Sequence, residues 1–197
     1  MATGSPGRVP AVSARLVVLA SGNGSTAQAI LDDPVLRRLV VAVGSERADA
    51  FALQRAAEAG VETFVVPFRE YADRADWDRA FEQALADRAP DLVVLAGFMR
   101  LFDARNVERF RMVNTHPALL PAFPGAHAIR DALAAGATTT GVTVMWVDAG
   151  IDTGPVIAQV EVPVEPGDTE ESLRERVQAA EKPLFVSTLR RLAAEVA

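Results

Sequence analysis

Five short aliphatic runs, each followed by residues at helical spacing, constrain the fold of this chain more than any other feature. They are Arg15–Ala20 (RLVVLA), Leu39–Val43, Thr63–Val66, Leu92–Ala96 and Arg111–Asn114. A strand apolar on both faces must be covered on both, and a parallel neighbour needs a crossover long enough to be a helix. The alternation therefore predicts an α/β fold: a single domain with a mostly parallel twisted sheet and helices on both faces.

The intervening segments fit that reading. Ser25–Leu31 opens a helix that Asp32-Asp33-Pro34 ends, and Ala48–Ala59 is a helix stopped by Gly60. Asp73–Arg88 carries a helical stripe of Trp77, Ala80, Phe81, Ala84 and Leu85. Short helices are expected at Asp103–Phe110 and His127–Ala135. The pattern then changes: Gly141–Val147 and Val156–Val162 alternate around a Gly-rich connection, which predicts an antiparallel C-terminal strand pair. Thr169 caps a last helix running to about residue 194, which Pro183 should kink or restart.

Composition removes several function classes. Without cysteine there is no disulfide framework and no thiolate nucleophile, and two histidines make a structural zinc site a poor fit. No metal is expected. A net charge of −6 argues against nucleic-acid binding. Lys182 is the only lysine, which leaves little room for a Schiff base. Residues 1–14 are rich in Gly, Pro, Ser and Ala and read as a disordered tail, with residues 15–197 as the catalytic domain. No early apolar run is long enough for a signal peptide and none approaches a membrane span, so a cytoplasmic protein without membrane partners is expected.

The chemistry-bearing residues cluster at strand ends. Gly22-Asn23-Gly24-Ser25-Thr26 follows the first strand and precedes a helix, where glycines permit close ligand approach and unpaired N–H groups attract phosphate. A tight turn with a serine cap is the plainer alternative. Asn114 and His116 would share side-chain direction if their strand continues through them. Asp152, between Gly150 and Gly154, reads either as a turn residue or as a carboxylate in need of a partner such as His116. An amide, an imidazole and a carboxylate together can hold a carbonyl, stabilise its oxyanion and move a proton. His127 could face the same pocket or cap its helix. The nearly apolar segment Gly97–Phe102 offers a slot for a flat heteroaromatic ligand, with Arg100 meeting an anion.

Taken together, SGNGS after the first strand, AGFMR, NTHPALLPAFPGAH and GVTVMWVDAGIDTGPVI resemble the phosphoribosylglycinamide formyltransferases, a folate-dependent formyltransferase family, over residues 15 to about 192. The family's NxHPSLLP pattern appears with Ala118 in place of Ser. The resemblance implies a Rossmann-like formyltransferase fold. It also implies formyl transfer from 10-formyltetrahydrofolate, as co-substrate, to the amine of glycinamide ribonucleotide in de novo purine (IMP) synthesis.

By the same resemblance Asn114, His116 and Asp152 are the catalytic trio, and Gly22, Asn23, Gly24, Ser25, Thr26, Gln178 and Glu181 hold the ribonucleotide. Met99, Arg100, Leu101, Phe102, Val147, Asp148, Ala149, Gly150 and Asp152 shape the folate pocket. Arg74 or Arg100 would meet the folate's glutamate tail. The expected partners are these small molecules, with a homodimer left open.

Two relatives of that group compete. A methionyl-tRNA formyltransferase normally adds a tRNA-binding module, and a formyltetrahydrofolate deformylase, the closer rival, usually carries an N-terminal regulatory domain. A phosphate-suited loop favours a phosphorylated acceptor over water. From another class, a nucleotide-binding module without turnover would use the same loop.

Overall fold

In the computed structural model, which describes residues 13–197, the aliphatic runs form β1 (Leu16–Leu19), β2 (Val40–Ser45), β3 (Glu62–Val65), β4 (Leu92–Leu95) and β5 (Met112–His116). The alternating segments form β6 (Thr139–Trp146) and β7 (Val156–Pro163). All seven join one sheet in the order β3-β2-β1-β4-β5-β6-β7, parallel from β3 to β5 and antiparallel from β5 to β7. The expected α/β fold is observed, with its antiparallel C-terminal pair.

The helices are α1 (Ser25–Asp32), α2 (Leu36–Leu39), α3 (Phe51–Glu58), α4 (Arg74–Ala86), α5 (Ala104–Arg109), α6 (Ala128–Ala134) and α7 (Glu170–Val196). They cover both sheet faces because the central strands alternate between two apolar clusters. Leu16, Val18, Val94 and Val113 pack with Ile30 of α1 and with Phe185 and Leu189 of α7. Val17, Leu19, Val93 and Met112 pack on the other face with Trp77, Phe81 and Leu85 of α4. Trp77, fully buried, donates its indole N–H to the Val66 carbonyl at 3.0 Å, so the aromatic cluster leaves that donor satisfied.

Several expectations need correction. Residues 1–12 lie outside the described residues, and Ala14, assigned to a disordered tail, is 2% exposed within the core. The fifth strand extends through His116 rather than ending at Asn114, because β6 continues to pair with it as far as His116 opposite Thr143. The short α2 was not anticipated: the Asp33 carboxylate, accepting from the Val35 and Leu36 N–H groups, starts a new turn just after Pro34. α7 is one unbroken helix despite Pro183. Proline deprives the Ala179 carbonyl of its helical donor, but both residues are exposed and water can take that role.

Candidate active site

The sheet reverses direction of growth between β1 and β4: β1 leads outward to β2, whereas β4 and β5 extend the other edge. Crevices beyond the carboxyl ends of strands at such a point are where open α/β sheets hold ligands. Here the chain after β1 meets the chain after β4, with the Ser21 N–H donating to the Gly97 carbonyl at 3.1 Å.

On one side lies the loop to α1. Gly24, at φ 73°, occupies the position before the helix, and no side chain caps it. The serine cap weighed from sequence is thus not formed: Ser25 is the first helical residue, and the first-turn N–H groups are left open to an anion. Gly24 is glycine for a packing reason, since a Cβ there would lie 2.5 Å from the Ala52 Cβ. α3 holds the loop, through Ala52 N–H to the Gly22 carbonyl and Arg55 to the Asn23 carbonyl. Thr26 donates to Glu181 Oε1 at 3.1 Å, whereas Gln178 is exposed.

At the end of β5, alternation places Asn114 and His116 on one face and Thr115 on the other. His116 is 4% exposed. Its Nε2 donates to the Phe123 carbonyl at 2.8 Å, and its Nδ1 lies 3.3 Å from Asp152 Oδ2. That carboxyl oxygen also accepts the Gly125 N–H at 2.8 Å. The segment from Pro117 to His127 therefore contributes one acceptor to the imidazole and one donor to its carboxylate. It is itself pinned to β6 and β7, with Thr143 Oγ1 donating to the Ala118 carbonyl and Gln159 to the Leu120 carbonyl. Ala118 is fully buried, so its methyl group suits the place where the family pattern has Ser.

Beyond Asn114 opens a cleft of about 630 Å³, counting the part open to solvent. Leu95, Phe98, Arg100, Leu101, Phe102 and Asn114 line one wall, and Met145 to Asp152 with Gly154 line the other. Val147, Asp148, Ala149 and Gly150 belong to this second wall. Their loop is shaped locally, because Asp148 accepts from the Gly150 N–H and the Thr153 hydroxyl. Leu101 and Ile151 remain more than half exposed at the rim, apolar surface left in water at the mouth of a polar-floored cleft.

Three other expected residues, Met99, Arg74 and His127, are placed differently, while Arg100 is held within the cleft wall. Met99 does not line this cleft, and its N–H is fastened to Ser21 Oγ. Arg100 stacks over Phe68 and approaches the buried Glu46 at 3.8 Å. Arg74 is committed to Asp78 and to the Leu101 carbonyl, so it braces the cleft wall from behind. His127 precedes α6 as an exposed residue; its side chain neither caps that helix nor lines the cleft.

Sequence reading missed Thr115, Phe123, Gly125 and Arg55. Only Thr115 carried a usable signal, as a hydroxyl in an otherwise apolar strand face. Among the described residues no three or more His, Asp or Glu side chains are grouped to hold a metal, and no helix is long and apolar enough to cross a membrane.

The sequence profile of the family described as Formyl transferase matches residues 14–189. Phosphoribosylglycinamide formyltransferase of Mycobacterium tuberculosis (strain ATCC 25618 / H37Rv) is 51% identical over 188 residues, which cover 93% of this chain and 87% of that protein. The Escherichia coli (strain K12) phosphoribosylglycinamide formyltransferase is 42% identical over 175 residues, covering 86% and 82% respectively. The crystal structure of glycinamide ribonucleotide transformylase 1 from Symbiobacterium toebii matches with a TM-score of 0.90 at 41% identity, covering 98% of this chain and 94% of that one.

Proposed function

The chain belongs to the phosphoribosylglycinamide formyltransferase family, and we propose that it transfers the formyl group of 10-formyltetrahydrofolate to the amine of glycinamide ribonucleotide, a step of de novo purine synthesis. The observation that carries this reading is the 3.3 Å approach of Asp152 to His116, with Asp152 and Asn114 both lining the cleft. An uncapped helix start lies on one side of this group and an apolar-walled cleft on the other.

The ribonucleotide phosphate sits at the start of α1, and the folate ring enters the cleft between Phe98–Phe102 and Met145–Asp152. The attacking amine is of the α-amino type, with a reference pKa of about 7.7–8.0, so roughly a tenth is free base at neutral pH and no strong base is needed. Attack on the formyl carbon creates an oxyanion and a cationic nitrogen together. The Asn114 amide donates one N–H to that oxygen; such a donor is typically worth about 2.7–4 kcal/mol in the transition state. His116 supplies the second, exchanging one present partner for the oxyanion, since both ring nitrogens are occupied without substrate. Asp152 orients the imidazole and passes the proton lost by the attacking nitrogen to N10 of the folate. The carbon–nitrogen bond to N10 then breaks, releasing tetrahydrofolate and the formamide. Holding both substrates face to face supplies the rest.

Incubation with both compounds, following folate product with and without the ribonucleotide, tests the reading. Acceptor-dependent release supports it. Equal release without the acceptor indicates a deformylase, and no turnover a binding module.

A further inference from the structure

Thr115 lies between Asn114 and His116 yet serves the opposite face of the sheet. Its hydroxyl donates to Glu181 Oε1 at 2.8 Å, and the Thr26 hydroxyl donates to the same oxygen at 3.1 Å. A carboxylate only accepts, so both hydroxyls must be donors, and together they fill the two lone pairs of Oε1. Among the described residues no donor reaches Oε2. Three elements distant in sequence, α1, β5 and α7, therefore converge to fix one oxygen of a half-buried carboxylate and leave the other without a donor among the described residues. Thr26 is the second residue of α1, whose start is the anion site, so Oε2 lies next to where a phosphorylated ligand would continue.

We propose that Thr115 is a positioning residue: with Thr26 it holds the Glu181 carboxylate so that Oε2 accepts a hydroxyl of the sugar in the phosphorylated substrate. The inference rests on the ribonucleotide reading of Glu181 above. Charge favours the same partner. A carboxylate repels a phosphate, so what it meets on that substrate is an O–H or N–H donor. Thr115 reaches Glu181 on α7, whereas its neighbour Asn114 lines the cleft proposed for the folate.

Steady-state kinetics on Thr115→Val, Thr115→Ser and Glu181→Ala test this, each with its melting temperature. Valine keeps the shape and removes the donor; serine keeps the donor. In Thr115→Val the KM for glycinamide ribonucleotide rises about five- to tenfold, with kcat and the KM for 10-formyltetrahydrofolate within about twofold. Thr115→Ser stays within about twofold of wild type in all three. Glu181→Ala raises the ribonucleotide KM at least as much as valine does. If Glu181→Ala raises that KM and Thr115→Val does not, the positioning role is overturned while the ribonucleotide reading stands. If Glu181→Ala leaves it unchanged, that reading fails and the inference with it. A loss shared by kcat and both KM values overturns it as well. Should Thr115→Val not fold, Thr115→Ala must show the same split.

Discussion

Asp152 is held from two sides, by the His116 ring and the Gly125 N–H, on a backbone at φ 54°. Asparagine keeps its volume and tolerates that left-handed conformation, so Asp152→Asn removes little but the charge. The expected outcome is a fall in kcat of about 100-fold or more with both KM values within about threefold. Undiminished turnover would remove the acid from the proposed proton transfer. The glycines of the loop between β1 and α1, the proposed phosphate site, separate in the same manner. Gly24→Val would strain a positive φ and drive into Ala52, so its effect would be on folding. Gly22 has no positive φ and nothing within 4 Å of where a Cβ would stand, so the fold itself does not require a glycine there and the proposed ligand approach can be tested separately. Gly22→Val should raise the ribonucleotide KM about tenfold while shifting the melting temperature by less than about 2 °C. An equal rise in the folate KM would refute the phosphate-loop assignment.

α7 ties the molecule together: it covers β6 and β7 with Leu173 and Val177, then the central strands with Phe185 and Leu189. In its capping box the Thr169 hydroxyl accepts the Ser172 N–H and the Ser172 hydroxyl accepts the Thr169 N–H. Pro183 is its one local misfit. Because packing on both sides already secures the helix, the missing N–H is a cost borne rather than a break. Pro183→Ala restores the donor to the exposed Ala179 carbonyl and should stabilise the protein by about 1–3 kcal/mol, measured by denaturant unfolding. No gain would mean that this turn is distorted in a way alanine cannot relax.

Two carboxylates act at α7: Asp168 in the connection before it, and Asp33 beyond α1, which meets Arg190. Arg176, in a two-pronged pair, the Ser172 hydroxyl and the Glu165 N–H hold Asp168 well below the usual carboxylate range. At Asp33 burial pushes the carboxyl up, but Arg190 and the Leu36 and Val35 N–H groups outweigh it and lower the value overall. A carboxyl depressed on folding contributes stability that is complete above its unfolded value, near about 3.9, and is lost as pH falls through the folded value. The melting temperature should therefore drop from about pH 5 downward. Asp168→Asn should be less stable at pH 7, with its deficit shrinking toward pH 2. A deficit constant across that range would refute the linkage.

Much of this architecture was legible along the chain. An aliphatic run that buries both faces must be a covered strand, a period of two sets which residues share a face, and Asp, Thr and Gly mark helix ends by local chemistry. Hence the sheet, its antiparallel tail and the common direction of Asn114 and His116 could be read before any coordinates. Local rules were also where reading went astray: Ser25 resembled a cap but is helical, Pro183 resembled a kink but stands exposed in an unbroken helix, and His127 and Arg74 resembled site residues but do not line the cleft. The meeting of Asp152 with His116, of Glu181 with Thr115, and of the Phe123 carbonyl with the imidazole depended on how far β6 runs along β5 and where α7 lands. Burial of apolar surface drives that assembly and has no direction of its own. The directed polar contacts exist only once distant elements have packed, so no single segment encodes them.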